Sequence, residues 1–453
     1  MLEPFPRRTR KPTPQLWDRS GTSLVESVRQ SFPDVPALTL GAPVHEGRCH
    51  PESLVKIPLC TLNRHGLIAG ATGGGKTRTL QIMAEQLSAQ GVPVFLADMK
   101  GDLSGIGVPG EAAVVAGRVH SVGYDWSAAA FPVEFLSLTG ERGAQLRATV
   151  ESFGPLLFAK ALDLNGTQTS VLSMVFKFCA DLELGLLDLG DLRSGLRYMM
   201  DRPHELTDYG LMSKASVGVL LRQIMQLEQQ GAERFFGIPA FDLDRLMVQH
   251  EGRGLVTLLE LDDVQDRPAL FSAFMMWMLA RLQRELPEVG DVAKPKLVFF
   301  FDEAHLLFHG ASRAFLDFVQ RTVRLLRSKG VGLFFVTQSP KDVHSEVLAQ
   351  LGHRVQHALR AWTPDDARAL AAAARTYPFT PFYDVEAVLT TMGTGEALVT
   401  VLGTDGRPTA PVVTRMIPPA SRMGPLTEEE LALHLAASEQ VRPYAHDTTR
   451  PTG

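Results

Sequence analysis

The sequence is poor in cysteine, with three in 453 residues. Cys49, Cys60 and Cys179 are scattered and have none of the short spacings at which cysteines bind metals. Their number is odd, so they do not form a complete disulfide framework. This pattern argues against a disulfide-stabilised secreted domain and a cysteine-based metal centre, and we expect a reducing, cytoplasmic environment.

The sequence also lacks long apolar runs and a strong charge bias. Its longest apolar run, near residues 273–280, is too short to span a bilayer, and the N-terminal segment MLEPFPRRTRKPTPQLW lacks the apolar core of a signal peptide. We therefore expect no membrane association. The net charge of -5, with 45% hydrophobic and 21% charged residues, is typical of an ordinary globular protein. Any contact with nucleic acid must then be local, for example along a pore or groove.

The most informative segment that is present is HGLIAGATGGGKTRTL, residues 65–80. A short apolar run leads into the pattern G-x-x-x-x-G-K-[ST], and a helix-compatible stretch follows, which is the setting of a phosphate-binding loop. Glycines allow the backbone N–H groups to approach a polyphosphate closely, and the start of the helix adds donors. Lys76 is predicted to reach the β- and γ-phosphates of ATP and the Thr77 hydroxyl to bind Mg²⁺. The predicted nucleotide-binding residues are Gly70, Ala71, Thr72, Gly73, Gly74, Gly75, Lys76, Thr77 and Arg78.

A second segment supplies the acidic half of such a site. The apolar run 297–301 is followed directly by Asp302 and Glu303. We expect Asp302 to hold Mg²⁺ through water and Glu303 to polarise the attacking water. A strand that ends in acidic residues is common, but its pairing with Lys76 and Thr77 makes coincidence a poor explanation.

Two further polar residues follow predicted buried strands. Asp98 ends the strand 92–97, on the ligand side of an open α/β sheet. It is either a second carboxylate that orders Mg²⁺-bound water or a solvated loop carboxylate, and the sequence does not separate the two. Gln338 follows the strand 330–336, where a polar side chain can sense the γ-phosphate.

The chain is predicted to be an α/β protein with a mainly parallel sheet. Leucine-rich helical periodicity at residues 168–182, 189–200 and 213–229 indicates a helical insertion. The predicted divisions are a flexible arm (1–20), a small β-containing lead-in (21–60), the two parts of the nucleotide-binding core (61–150 and 251–418), the insertion between them (151–250) and a C-terminal tail (419–453).

The order of the motifs narrows the class of phosphate-loop protein. A glutamate directly after the Mg²⁺ aspartate is typical of hydrolases with an additional strand and a catalytic glutamate, and 254–261 is the strand we assign to that additional position. The letters DEAH at 302–305 also match DEAH-box helicases, but too little chain follows for a second motor domain and the Ser-Ala-Thr motif is absent. An ABC-type ATPase would need Leu-Ser-Gly-Gly-Gln before Asp302, and none occurs.

Together these segments resemble the HerA-like branch of the HerA–FtsK superfamily, and more narrowly a bacterial subgroup of uncharacterised HerA-like ATPases. The resemblance runs from about residue 35 to about residue 425. Besides the phosphate loop and its lead-in LNRHGLI, it is carried by FLADMKGDLSG, DEAH, RSKGVG and VTQSP, which begin at residues 95, 302, 327 and 336.

The resemblance implies a RecA-like motor domain that binds ATP and Mg²⁺, assembles as a homohexameric ring and moves on double-stranded DNA. In this family the site lies between subunits, and an arginine of the neighbour stabilises the transferring phosphoryl group. Arg327 matches that position and Arg324 is the alternative; both are also favourably placed as cations at the end of a helix. Gln338 corresponds to the family's sensor. The founding members dock a nuclease partner on an N-terminal β-barrel, and the short stretch before Gly70 leaves little room for one.

Two other functions are compatible with the sequence. An ATP-driven regulator or scaffold that acts on protein partners would explain the weak basic character and the helical insertion. A nucleotide-binding module with little turnover would not need Glu303, which argues against it.

Overall fold

The computed structural model describes residues 23–438 except 33, 207, 211, 309 and 310. The predicted arm (1–20) and the last residues of the predicted tail (439–453) lie outside the described part. The strands within it are β1 Ala37–His45, β2 Arg48–Cys49, β3 Val55–Pro58, β4 Gly66–Ala69, β5 Val94–Asp98, β6 Val133–Ser137, β7 Ala144–Gln145, β8 Gln249–His250, β9 Arg253–Gly254, β10 Val256–Glu260, β11 Leu297–Phe301, β12 Val331–Thr337, β13 His353–His357, β14 Glu396–Thr400 and β15 Val412–Met416.

The α-helices of the same part include three, Gly166–Asp181, Leu189–Asp201 and Lys214–Gln229, that agree closely with the helical periodicity of the sequence. In full, the α-helices are α1 Leu24–Ser31, α2 Lys76–Ala89, α3 Ala112–Val122, α4 Val150–Ala161, α5 Gly166–Asp181, α6 Leu189–Asp201, α7 Lys214–Gln229, α8 Ala232–Phe235, α9 Pro268–Glu285, α10 His305–Phe308, α11 Arg313–Leu326, α12 Ser345–Leu348, α13 Pro364–Ala374, α14 Val385–Thr391 and α15 Glu428–Ala437. No helix was predicted between residues 103 and 150, so helix α3 is an addition.

One large sheet organises the described chain. Its strand order is β2-β1-β15-β14-β13-β4-β12-β11-β5-β10-β6-β7, and β3 pairs with β1. The strands from β13 to β7 along this order are parallel, whereas β14, β15 and β1 pair antiparallel. The predicted α/β class with a mainly parallel sheet is confirmed.

The additional strand is not the one that the sequence analysis assigned. β12 lies between the phosphate-loop strand β4 and the acidic strand β11, whereas β10, the observed strand in 254–261, lies between β5 and β6. That assignment was wrong because an apolar run reports that a strand is buried but not which strands it pairs with. β12 and β11 run in register from Leu297 beside Val331 to Phe301 beside Phe335.

The sheet is covered on both faces. Alternate residues of β11 belong to different cores: Phe299 and Phe301 pack with the helices of the insertion and with α9, and Val298 and Phe300 pack with α2 and the lead-in. Burial on both faces explains why the central strands are uninterrupted apolar runs. The insertion helices therefore share a core with the nucleotide-binding sheet.

The lead-in extends that sheet. β1 pairs antiparallel with β15, with Gly41 opposite Met416. A side chain at Gly41 would overlap the backbone of Arg415, at 2.0 Å from its carbonyl oxygen, so this close approach requires glycine. In residues 23–438, apart from the five positions left out, no helix combines the length and apolar character needed to cross a bilayer.

Candidate nucleotide site

The phosphate loop, residues 70–77, joins β4 to α2 at the carboxyl edge of the sheet. Gly73 and Gly75 have φ of 76° and 117°, in the region that disfavours side chains. The N–H of Gly70 donates to the Thr337 carbonyl at 3.2 Å, and that of Ala71 to the Ala358 carbonyl at 2.9 Å. The loop is thus held by the ends of β12 and β13, and it presents the start of α2, which favours anions.

Lys76 is the first residue of α2 and is buried, with 7% of its surface exposed. Its ammonium donates to the carbonyl oxygens of Gly70, at 2.8 Å, and Ala71, at 3.4 Å, within its own loop. Burial lowers the pKa of Lys76, and the nearby Glu303 and Asp302 oppose this shift. The cation therefore lies over the cradle that a polyphosphate would occupy.

Asp302 and Glu303 follow β11 in a turn at the same edge. One strand, β12, separates β11 from β4, so the two motifs are about 10 Å apart across the sheet. Two hydrogen bonds fix the turn. The Asp302 N–H donates to the Ala97 carbonyl at 3.2 Å, and the Ala304 N–H donates to the Val336 carbonyl at 2.8 Å. Glu303 has φ of 46°, an uncommon conformation for a residue with a side chain. This turn directs both carboxylates to the edge, which strand alternation alone would not do.

Asp302 has an electrostatic environment suited to a cation. Burial, reinforced by the Glu303 carboxylate, raises its pKa to about 7. Its Oδ2 is buried and has no hydrogen-bond partner in the described chain. A divalent cation beside this oxygen would compensate both the lost hydration and the repulsion.

Lys100 is a residue of this site that the sequence analysis did not single out. Its ammonium forms an ion pair with Glu303 Oε1. His305 Nδ1 lies 3.2 Å from the other oxygen, Oε2. Burial acts to raise the pKa of Glu303, but the Lys100 ammonium outweighs it, so the pKa lies below its ordinary value. Lys100 stands two residues after β5, and its position beside a strand-end aspartate was the available signal.

Asp98 lies inside the protein and not on a solvated loop. Its Oδ1 accepts N–H bonds from Lys100 and Gly101 at 3.0 and 2.9 Å, and its Oδ2 accepts one from Leu103 at 2.9 Å. Burial outweighs these bonds and raises the pKa of Asp98 to about 6. The carboxylate thus fixes the turn that carries Lys100. Its role toward Mg²⁺ stays a prediction.

A cleft of about 880 Å³ opens beside the phosphate loop. Thr72, Gln338 and His305 line it, together with Arg360 and Trp362 from the loop after β13. Gln338 is exposed, as is Trp362 with 83% of its surface accessible. Gln338 was predicted from the sequence, whereas Arg360 and Trp362 were not, since they lie in a loop without a motif.

Arg324 and Arg327 lie away from these residues. Arg324 is in the last turn of α11, Arg327 begins the 3₁₀ turn Arg327–Lys329, and both are exposed. That turn precedes β12, whereas the site lies after it. Since β12 has seven residues, the arginines are separated from their own phosphate loop by roughly 23 Å of strand.

The residues present fit a Mg²⁺–nucleotide. Thr77 and the unpartnered oxygen of Asp302 are the hard oxygen ligands that Mg²⁺ prefers. No group of three or more His, Cys, Asp or Glu side chains forms a metal cage in the described chain. Mg²⁺ is commonly bound by one or two protein oxygens together with water and substrate phosphates, so this sparse donor set suffices.

The strand order, the phosphate loop and the acidic turn define a RecA-like P-loop ATPase fold. The chain belongs to the family described as Helicase HerA-like C-terminal, whose sequence profile matches residues 45–452, and this confirms the predicted HerA-like branch. No match was found among curated proteins.

Solved structures share the fold at low sequence identity. VirB4 of Thermoanaerobacter pseudethanolicus is 15% identical with a TM-score of 0.54, and the match covers 85% of this chain and 98% of VirB4. The bacterial conjugative coupling protein TrwBΔN70, in its unbound monoclinic form, is 15% identical with a TM-score of 0.56, over 88% of this chain and 93% of that chain. The plasmid coupling protein TrwB in complex with ADP and Mg²⁺ is 15% identical with a TM-score of 0.56, and the match covers 88% of this chain and 95% of that chain.

Proposed function

We propose that this protein is a Mg²⁺-dependent ATPase that assembles into a homohexameric ring and translocates on double-stranded DNA. The observation that carries the proposal is the juxtaposition of the phosphate loop with the Asp302–Glu303 turn, two strands apart at one sheet edge. Membership of the HerA-like family and the binding of ADP and Mg²⁺ by the similarly folded TrwB support it.

Different residues of the chain bind the phosphates, hold Mg²⁺ and orient the attacking water in phosphoryl transfer. The N–H groups of the phosphate loop and the Lys76 ammonium bind the β- and γ-phosphates, and Thr77 and Asp302 hold Mg²⁺. Bound Mg²⁺ neutralises charge on the phosphate oxygens. Glu303 orients the attacking water, and Gln338, at the end of β12, contacts the γ-phosphate side of the cleft.

The active site is completed at a subunit interface. Arg327, or Arg324 as the alternative, cannot reach its own phosphate loop because the length of β12 separates them. A neighbouring subunit that places this end of α11 against the cleft supplies the missing cation, which stabilises charge in the transition state. Hydrolysis then changes the contact between neighbours, and this shifts one subunit relative to the next.

A second candidate function is an ATP-driven regulator that acts on protein partners. Exposed apolar side chains on the insertion favour it: Leu182 and Leu184 are 52% and 55% exposed. The net charge of -5 also gives DNA no overall attraction.

Steady-state ATPase activity with and without double-stranded DNA, for wild type and Glu303→Gln at matched oligomer size, tests the proposal. A DNA motor shows turnover that DNA stimulates and that the variant loses. DNA binding should also weaken steeply with salt, since the grip is on phosphates. Turnover that depends on Glu303 but ignores DNA selects the protein-directed ATPase. No turnover in the wild type overturns both.

A further inference from the structure

His357 lies directly beneath the phosphate loop. It ends β13, has no exposed surface, and packs against the glycines of the loop. A Cβ on Gly70 would lie 2.5 Å from the His357 Cβ, and a Cβ on Gly75 would lie 3.2 Å from its ring carbon Cε1. Glycine at position 70 is therefore required by the side chain beneath it.

Both ring nitrogens of His357 are engaged. Nδ1 lies 2.9 Å from the Glu396 carbonyl oxygen, and Nε2 lies 2.9 Å from the Thr79 hydroxyl. A carbonyl oxygen only accepts, so Nδ1 carries the proton and Nε2 accepts from Thr79. Burial and the nearby Lys76 lower the pKa of His357 to about 4, which keeps this neutral form at ordinary pH.

These two bonds link the loop to separate parts of the fold. Thr79 lies in the first turn of α2, three residues after Lys76. Glu396 begins β14, and the residue before it, Gly395, donates its N–H to the Gly74 carbonyl at 3.0 Å. The imidazole thus joins the helix that follows the loop to the strand end that touches the loop.

We propose that His357 is a positioning residue of the nucleotide site, which sets the height and orientation of the phosphate loop by connecting Thr79 to Glu396. It touches neither substrate nor Mg²⁺ in this arrangement; it acts through the loop. The inference rests on the proposed binding of ATP at that loop. A loop that is held correctly contributes to ground-state and transition-state binding alike, so its disturbance appears in affinity more than in kcat.

The test compares His357→Phe, which keeps a buried ring but loses both hydrogen bonds, with Thr79→Val, which removes one bond at nearly constant volume. Affinity for a non-hydrolysable ATP analogue with Mg²⁺ is measured by calorimetry, and kcat and KM by steady-state assay. We expect His357→Phe to weaken binding about tenfold and raise KM in parallel, with kcat changed less than about twofold. His357→Asn, which retains a donor near the Nδ1 position, should recover part of the loss.

His353→Phe is the matched control. His353 is equally buried on the same strand and bonds the Thr61 carbonyl at 2.7 Å, but it lies at the opposite end of β13 from the loop. A merely structural role predicts that both substitutions lower the unfolding midpoint and leave affinity unchanged, which would overturn the inference. If His357→Phe does not fold, the Thr79→Val variant provides the test. Wild-type affinity for the ATP analogue in Thr79→Val would also overturn the inference. If the wild-type protein does not bind the analogue, the proposed function itself is wrong. That result differs from a failure of the His357 inference, in which the wild type binds and the variants bind equally well.

Discussion

The ammonium of Lys100 forms an ion pair with the carboxylate of Glu303, the residue proposed to orient the attacking water. Lys100 follows β5 and Glu303 follows β11, which are neighbouring parallel strands. The pair therefore forms because two strands end side by side. It also lowers the pKa of Glu303 against the effect of burial.

Replacing Lys100 by methionine should shift the pH dependence of hydrolysis. Without the ammonium, burial dominates and the pKa of Glu303 rises. Activity that needs ionised Glu303 is lost as the pH falls through that pKa, so the acidic limb of the kcat/KM profile should move to higher pH. The kcat/KM profile is the appropriate measurement because it reports groups of the free enzyme. Lys214→Met, an exposed position on α7, is the control, and an unmoved acidic limb in Lys100→Met would contradict the prediction.

Glu260, at the end of β10, should destabilise the nucleotide-free protein as the pH rises. Burial and the neighbouring Asp98 carboxylate raise its pKa from 4.5 to about 8. The unfolded chain therefore releases this proton first, and stability is lost progressively between these two pH values. Glu260→Gln removes that loss, so it should be more stable than wild type near pH 8, on the order of 4 kcal/mol, and the difference should vanish near pH 4.

Urea denaturation across this pH range measures the effect. Glu429→Gln, at an exposed position of α15, is the matched control and should follow the wild-type curve. Asp302 titrates in all three proteins and cancels in the comparison. Asp98 does not cancel, because it repels Glu260 and that repulsion is part of the effect being measured. A Glu260→Gln variant whose stability tracks wild type at every pH would show that the carboxyl is not held protonated.

Asp302 and Asp98 should respond differently to the same substitution. Asp302→Asn weakens a ligand of Mg²⁺, and we expect the Mg²⁺ concentration for half-maximal hydrolysis to rise about tenfold. Asp98→Asn directs an amide N–H toward the Leu103 N–H or toward those of Lys100 and Gly101, which leaves a donor unpaired and costs about 1–3 kcal/mol of stability. Its Mg²⁺ requirement should not change. Metal titrations and thermal unfolding of both variants separate the two roles. A raised Mg²⁺ requirement in Asp98→Asn would instead support the prediction that Asp98 orders Mg²⁺-bound water.

Local patterns in the sequence predicted the local structure well. The glycine spacing before Lys76 predicted a loop between strand and helix, and the apolar run before Asp302 predicted a strand that ends at the site. Both predictions are correct because a loop and a strand end are determined by residues adjacent in the sequence. Strand order is not determined by adjacent residues, and for that reason the additional strand was assigned to β10 instead of β12.

The residues that the sequence analysis missed are partners from distant segments. Lys100 meets Glu303 across 203 positions, and His357 meets Thr79 across 278. Lys100 lies within the segment FLADMKGDLSG, but nothing in that segment indicates its partner, and His357 lies in no motif. The position of Asp98 at a strand end was predicted from the sequence. Its burial and its hydrogen bonds to the following loop were not, because a single sequence does not show which side chains are buried.

The position of Arg327 before β12, with the phosphate loop beyond the other end of that strand, leads to a prediction about mixed assemblies. Arg327→Ala alone should reduce kcat by about a thousandfold, because the finger is lost at every interface. Glu303→Gln alone should be inactive at every site. In rings mixed from both variants, an interface between an intact Glu303 and a neighbour's intact Arg327 is complete, so activity should return.

The size of that recovery shows which arginine is the finger, Arg327 or Arg324. It also shows whether the finger acts in a neighbour's site or in the site of its own subunit. Equimolar mixing after subunit exchange should restore about a quarter of wild-type turnover if sites act independently, since half of the sites have Glu303 and half of their neighbours have the finger. The same mixture with Arg324→Ala tests the alternative, and Arg321→Ala, exposed on the same helix, should be nearly fully active. An Arg327→Ala protein that is inactive alone and stays inactive in the mixture would place the arginine in its own subunit's mechanism. That outcome would contradict the proposal, in which the length of β12 keeps Arg327 away from the phosphate loop of its own subunit.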